Sequence, residues 1–205
     1  QAFSLDEGFL RETVLPFATE IIFFYDVHYP ADATGKRRIE PSQALETWQK
    51  AVNPLPPVAG LRFTVAQLLA LPAETIGQER RERWERLLDE LPDVPTTEVE
   101  GKTVPAAAGE LLEEAKNCEN PELYAVFPYR LYGVGKPDLE MARESFARRS
   151  VKGNSGWQQD ETQAALLGLA DEAARRVAER LGTKHPGSRF PAFWGPNFDW
   201  IPDQD

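Results

Sequence analysis

Three stretches of this 205-residue chain gather carboxylates, amides and aromatic rings where neither a helical nor a strand period runs. The first, IEPSQALETWQKAVNP, holds Glu40, Glu46 and Trp48. The second, VFPYRLYGVG, holds Tyr129, Arg130 and Tyr132. The third is a pair, GNSGWQQDETQ and FWGPNFDWIPDQD, on either side of a helical segment. It carries Trp157, Gln158, Gln159 and Asp160, then Trp194, Asn197, Asp199, Trp200, Asp203 and Asp205. Acids beside rings on loops suit a ligand with apolar C–H faces and many hydroxyls. The faces stack on indole or phenol, the hydroxyls pair with Asp, Asn, Gln and Arg, and two carboxyl groups can cleave the bond between two such ligand rings. That chemistry is carbohydrate binding and glycosidic hydrolysis, with an oligosaccharide or polysaccharide as partner.

Each residue also has a plainer role open to it. Glu46 suits a helix start or a solvent-facing carboxylate, and Trp157 and Trp194 suit the sealing of helix ends. Arg130 between two tyrosines suits a buried hydrogen-bonder, and Asp160 a cap on the helix that follows it.

Other chemistries are excluded by residue types. The net charge of -10 opposes nucleic acid, whose affinity rests on Lys and Arg meeting phosphates, and the arginines here are interleaved with glutamates. One cysteine, Cys118, and two histidines, His28 and His185, supply no structural zinc set and no internal disulfide, so no cofactor or metal is expected. GKT at 101–103 lacks the phosphate-loop glycine, position 96 being Thr. GNSGW at 153–157 has Trp157 where a nucleophile elbow needs Gly. The aspartates at 199, 203 and 205 lack the spacing of a calcium loop.

Composition, at 41% hydrophobic and 27% charged, is globular, and no apolar run approaches the eighteen or so residues of a membrane span. The opening QAFSLDEGFL shows no initiator Met, basic n-region or apolar h-region, so any targeting peptide is expected to have been removed or to lie outside this sequence.

The elements that must position these residues read as helices. Apolar residues at 10, 14, 17, 21, 24 and 28 predict a helix over about 6–28 with that face buried and His28 packed on it, Pro16 marking a kink or a start. Residues 30–56 read as a long loop cut by prolines. Val58, Leu61, Val65, Leu68 and Leu69 predict a second helix stopped by Pro72. A third covers about 77–91 with Trp84, Leu87, Leu88 and Leu91 inward and Glu79–Arg83 and Glu82–Arg86 pairs on a solvated face. Residues 96–106 suit at most a short hairpin, 122–132 and 138–150 suit helices, and a last helix over about 157–181 buries Leu166, Ala170, Ala173, Val177 and Leu181, with a break at Gly168–Asp171. The expected fold is all-α, one domain over 1–205 built of helical hairpins with function on the loops.

The order GELLEEAKNCENPELYAVFPYRLYGVGKPDLEMARESFARR, then GWQQDETQAALLGLADEAARRVAERL, then an Asn- and Asp-rich aromatic loop resembles the C-terminal half of the catalytic domain of glycoside hydrolase family 95, the inverting α-L-fucosidases and relatives, and looks closer still to an uncharacterised glycoside-hydrolase-like group with a similar final loop. The resemblance spans about 15–205 by pattern and order. It implies part of an (α/α)6 toroid, a fragment of a larger catalytic domain whose N-terminal and C-terminal parts are missing, and a secreted or periplasmic setting. PSQALE matches the family's acid loop at Pro41, Ser42 and Glu46, which implies Glu46 as general acid, and PDQD implies Asp205, with Asp203 second, as the carboxylate that activates water. The remaining substrate-binding candidates are Trp48, Tyr129, Arg130, Trp157, Gln158, Asp160, Trp194, Asn197, Asp199 and Trp200. ENPELYAVFP stands where the family has a His-rich run, so a different sugar pocket is expected.

Overall fold

Asp6 starts the first helix: its carboxylate accepts the Phe9 N–H at 2.9 Å, satisfying a donor that the first turn leaves orphaned. The computed structural model describes residues 5–153 and 158–182. From this cap α1 (Glu7–Phe9) runs into one π-helical turn, Leu10–Val14, and then α2 (Leu15–His28). Pro16 follows the π turn directly inside this continuous helical run, where Leu15 N–H still bonds to the Leu10 carbonyl, so the proline marks an interruption of the α ladder rather than a start.

The π turn changes which side of α2 is inward. It takes up one more residue than an α turn. A stripe that begins inward at Leu10 therefore continues inward at Leu15 and Ile22, with Ala18 and Tyr25 packed beside them and Tyr29 closing the row. The expected buried stripe at 17, 21, 24 and 28 is one residue out of phase, and Phe17, Ile21, Phe24 and His28 are exposed.

Next come β1 (Ser42–Ala44) and β2 (Trp48–Pro54), then α3 (Leu55–Leu69), α4 (Ala73–Ile76) and α5 (Gln78–Glu90). The hairpin β3 (Thr96–Val99) and β4 (Lys102–Pro105) turns through Glu100 and Gly101, both at positive φ, the geometry that matches the twist of two paired strands. β5 (Ala108–Leu111), a 3-10 turn at Pro121–Leu123, α6 (Leu139–Arg148), α7 (Asp160–Leu166) and α8 (Ala170–Gly182) complete the order.

The all-α expectation, and with it the toroid of helical hairpins, is overturned by two antiparallel sheets, one of order β1-β2-β5 and one of β3-β4, in a mixed α/β fold. The prolines that made 30–56 read as loop stand where a missing N–H costs little. Pro41 precedes β1, Pro54 ends β2, and Pro56 sits in the first turn of α3. The partner of β2 is β5, with Ala51 opposite Leu111 and Pro54 opposite Ala108. Within 122–132 the 3-10 turn gives way to further turns rather than a helix, because Pro128 removes a donor and disfavours helical backbone at Phe127. The last helix does break, at Gly168 with φ +72, and the break re-aims α8: Ala173 and Arg176 turn inward while Val177 and Leu181 are exposed.

Two main cores result. Leu10, Ile22, Val58, Leu61, Trp84 and Leu87 join α2, α3 and α5, while Leu123, Phe146, Ala164 and Leu167 join the 3-10 turn, α6 and α7. A buried guanidinium closes the first of these. Arg37 donates from Nη1 to the carbonyls of Asp26 and Tyr29, each at 2.7 Å, and from Nη2 to Asp26 Oδ1 at 2.6 Å and from Nε to Glu90 Oε2 at 2.9 Å. Arg83 reaches the other oxygen of Asp26, so instead of pairing along α5 it ties α5 to α2. Replacing Arg37→Ala leaves Glu90 and two carbonyls without this donor and is expected to cost roughly 3–5 kcal/mol in urea denaturation. A loss below about 1 kcal/mol would show that the arginines of α5 suffice for Asp26 and Glu90.

Candidate functional site

A cleft of about 610 Å3 lies between the two sheets and the end of α6, within the range of small-molecule sites. Trp48, Thr96, Glu122, Ser145, Arg148 and Arg149 are among the residues that line it. Each is brought there by a local cause.

Trp48 opens β2 directly after the turn 45–47, in which Leu45 takes a φ of +57. Its register partner is Ala44, and it packs on a small cluster of Ala44, Ala51, Ala107 and Ala108. Short side chains around it leave the indole half-buried with a surface on the cleft. The hairpin β3–β4 supplies the facing wall and is held to α6 by ion pairs, Lys102 to Glu144 at 2.7 Å and Arg148 to Glu100 at 2.8 Å.

Glu122 sits in the 3-10 turn that Pro121 initiates. Asn120 fixes that turn to the end of α6, donating from Nδ2 to the Val151 carbonyl at 2.8 Å and accepting the Val151 N–H at 3.1 Å. Leu123 and Val126, both fully buried, follow it. In that surrounding the charged carboxylate is poorly solvated, and burial raises the Glu122 pKa to about 7, against the smaller opposing effects of its own N–H and the Arg149 charge.

Arg149 is the charged side chain best fixed in the cleft. It stacks on the Phe146 ring, its guanidinium carbon 3.7 Å from the ring centre. Asp160, 1% exposed, accepts on Oδ2 from Arg149 Nη2 at 2.6 Å and Nε at 3.0 Å, and from Arg176 Nη1 at 2.9 Å. Asp160 is therefore an ion-pair partner rather than a cap. Its Oδ1, with Gln163 Oε1, is buried without a hydrogen-bond partner, so the first turn of α7 holds unsatisfied acceptors.

The other expected site residues are scattered. Glu46 is exposed on the β1–β2 turn, accepting from Asn117 Nδ2 at 2.9 Å, and is absent from the cleft lining. Tyr129 packs its phenol against Gly60 of α3, where any Cβ would come within 2.9 Å of the ring, and it borders two smaller hollows with Tyr25. Arg130 is exposed, at a φ of +51. Gln158 is half-buried and accepts on its carbonyl from Arg180 at 2.9 Å. Trp157, Trp194, Asn197, Asp199, Trp200, Asp203 and Asp205 lie outside the described residues. Among the described residues, Trp48 is thus the one expected site residue that lines the cleft.

Glu122, Ser145 and Arg149 escaped the sequence reading. A signal is present only for Glu122, a lone acid in the run PELYAVF at the start of the stretch that suits a helix. Among the described residues no group of three or more His, Cys, Asp or Glu side chains could hold a metal ion. Comparison with protein-family models, with curated proteins and with solved structures returns no match.

Glu122 gives stability a pH dependence. Below its ordinary value of 4.5 the group is protonated in both folded and unfolded chains, and its contribution is fully present. As pH rises from there through about 7, the unfolded chain releases the proton that the folded chain retains, and the contribution is lost. Allowing for partial exposure, the loss is about 1–2 kcal/mol. Urea denaturation at the two ends of that window should show a smaller fall for Glu122→Gln by this amount. An unchanged fall would place the Glu122 carboxyl in water.

Proposed function

We propose that this chain binds a carbohydrate in the cleft beside Trp48 and hydrolyses a glycosidic bond by general acid/base chemistry, with Glu122 as the proton donor. The observation that carries the reading is a carboxyl group whose pKa burial raises to about 7, lining the same cleft as a half-buried indole. A general acid must keep its proton at working pH and then give it to the leaving oxygen, and burial does this for Glu122. The indole offers a face to the C–H side of a sugar ring, and Thr96, Thr97, Ser145 and Ser150 offer hydroxyls to its own. Glu122 fits this role better than Glu46, which is exposed on a turn with Asn117 as its partner.

Hydrolysis needs a second carboxylate. Inversion sets it roughly 6.5–9.5 Å from the acid, with a water between. Asp205, with Asp203 second, takes this role in the proposal on the sequence resemblance. Arg149 acts by charge, limiting how far burial raises the Glu122 pKa, and Asp160 and Arg176 hold it in place.

A second reading, a binding module without turnover, is favoured by one fact: among the described residues of the cleft lining, Glu122 is the one carboxylate. Turnover of α- and β-linked oligosaccharides by the full chain, set against binding measured by calorimetry, separates the two. In the hydrolase, Glu122→Gln lowers kcat by roughly 100-fold or more while binding persists, and wild-type kcat falls as pH rises through about 7, where the acid loses its proton. Glu46→Gln should leave turnover within about 2-fold of wild type. A large loss in Glu46→Gln with none in Glu122→Gln would return the acid to the turn. Sugar binding without turnover, abolished by Trp48→Ala, would establish the binding module.

A further inference from the structure

We propose that the outward face of α2 is where a second copy of this chain docks, giving an isologous dimer through paired α2 helices. The phase shift at Leu10–Val14 leaves Phe17 69%, Ile21 42%, Phe23 47%, Phe24 54% and Val27 61% exposed on a helix whose inner row is already packed. Among the described residues, α3 and α5 cover the inner side, through Leu61, Trp84 and their neighbours around Ile22, and Arg83 of α5 reaches the outer side at the Phe23 ring. Scattered exposed apolar residues are ordinary, but three phenylalanines within eight positions of one helix are not.

The face suits a helix as its occupant. Positions 17, 21, 24 and 28 step by four, three and four, the spacing with which side chains of one helix enter the gaps of another. His28 stacks on Phe24 at 5.0 Å between ring centres, and Arg83 lies over the Phe23 ring at 4.9 Å, so both rings are held rather than loose. Between α2 and α5 a hollow of about 230 Å3, bordered by Glu20, Phe23, Arg80 and Arg83, is large enough for an entering side chain.

Area argues for a second copy. With roughly 200 Å2 for a full aromatic side chain and somewhat less for an aliphatic one, the five exposed residues present about 500 Å2 of apolar surface. A standard interface takes about 800 Å2 from each partner, and in homodimers about 65% of it is apolar, which is close to the same figure. The face is also self-complementary. An antiparallel two-fold pairing centred between Glu20 and Ile21 lays Phe17 of one copy beside Phe24 of the other and brings each Glu20 towards the arginine-edged hollow of the other. An anionic lipid surface fits less well, because the one charge within Leu15–Tyr25 is Glu20 and the whole chain carries a net charge of -10.

Sedimentation velocity of the full chain, from low micromolar concentration upward, tests this. A concentration-dependent dimer is expected, with Phe17→Asp and Phe24→Asp each weakening it at least about tenfold, while far-UV circular dichroism, and melting at concentrations where wild type is monomeric, stay at wild-type values, since both side chains point outward. A chain that stays monomeric at every concentration overturns the proposal. So does a dimer that ignores both substitutions, which would place the contact elsewhere. Co-flotation of the monomer with phosphatidylcholine–phosphatidylglycerol vesicles, lost in Phe24→Asp, would assign the face to lipid and overturn it as well.

Discussion

Two arginines share one buried carboxylate, and the arrangement of the C-terminal half follows from that sharing. Asp160 is the first residue of α7, Arg149 directly follows α6, and Arg176 lies midway along α8. One carboxylate thus binds three elements whose apolar contacts alone are small: Ala142, Ala164 and Ala173 are among the residues of their common core. Desolvating three charges is costly, and removing any one would strand the others. The gain is placement. Arg149 cannot turn away from the cleft without leaving Asp160 and the Phe146 ring together.

The cleft is polarised in consequence. On one side stands a guanidinium with every strong contact fixed, and near it Glu122, whose carboxyl is driven towards its neutral form by the apolar residues that follow it. The same low-dielectric surroundings that raise the Glu122 pKa also extend the reach of the Arg149 charge. Sequence distance hides this pairing. Glu122 and Arg149 lie 27 positions apart, joined through Asn120 and Val151 rather than through a shared helix.

What could be read in advance depended on how local its cause was. α3 and α5 were legible because Val58, Leu61, Val65 and Leu68, and Trp84 and Leu87, repeat at helical spacing within each element. The hairpin at 96–105 was legible from its β-branched alternation about Gly101. β1 and β2 were not, because β2 closes on β5, more than fifty residues further along, and prolines at the ends of strands look the same as prolines in loops. α2 was legible as a helix and misread in its facing, since no residue type announces a π turn. The candidate site divides likewise. Trp48 could be named from its company of acids and amides, whereas Glu122 gains its character only from burial, which a list of residue types does not contain. The toroid implied by family resemblance failed on the same strands that local periodicity missed.

The hairpin wall and the arginine wall differ in how water reaches their fastenings. Lys102 and Glu100 keep most of their side chains in solvent, so the pairs that tie the hairpin to α6 lie within reach of dissolved ions, while the pair at Asp160 is sealed. Screening shortens from about 8 Å at physiological ionic strength to about 3 Å in molar salt. One side of the cleft is therefore fastened in part by pairs that electrolyte weakens, and the other by a pair that it does not reach. Salt loosens the ionic part of the hairpin's tie to α6, leaving the packing of buried Val104 and the sealed arginine wall as they are.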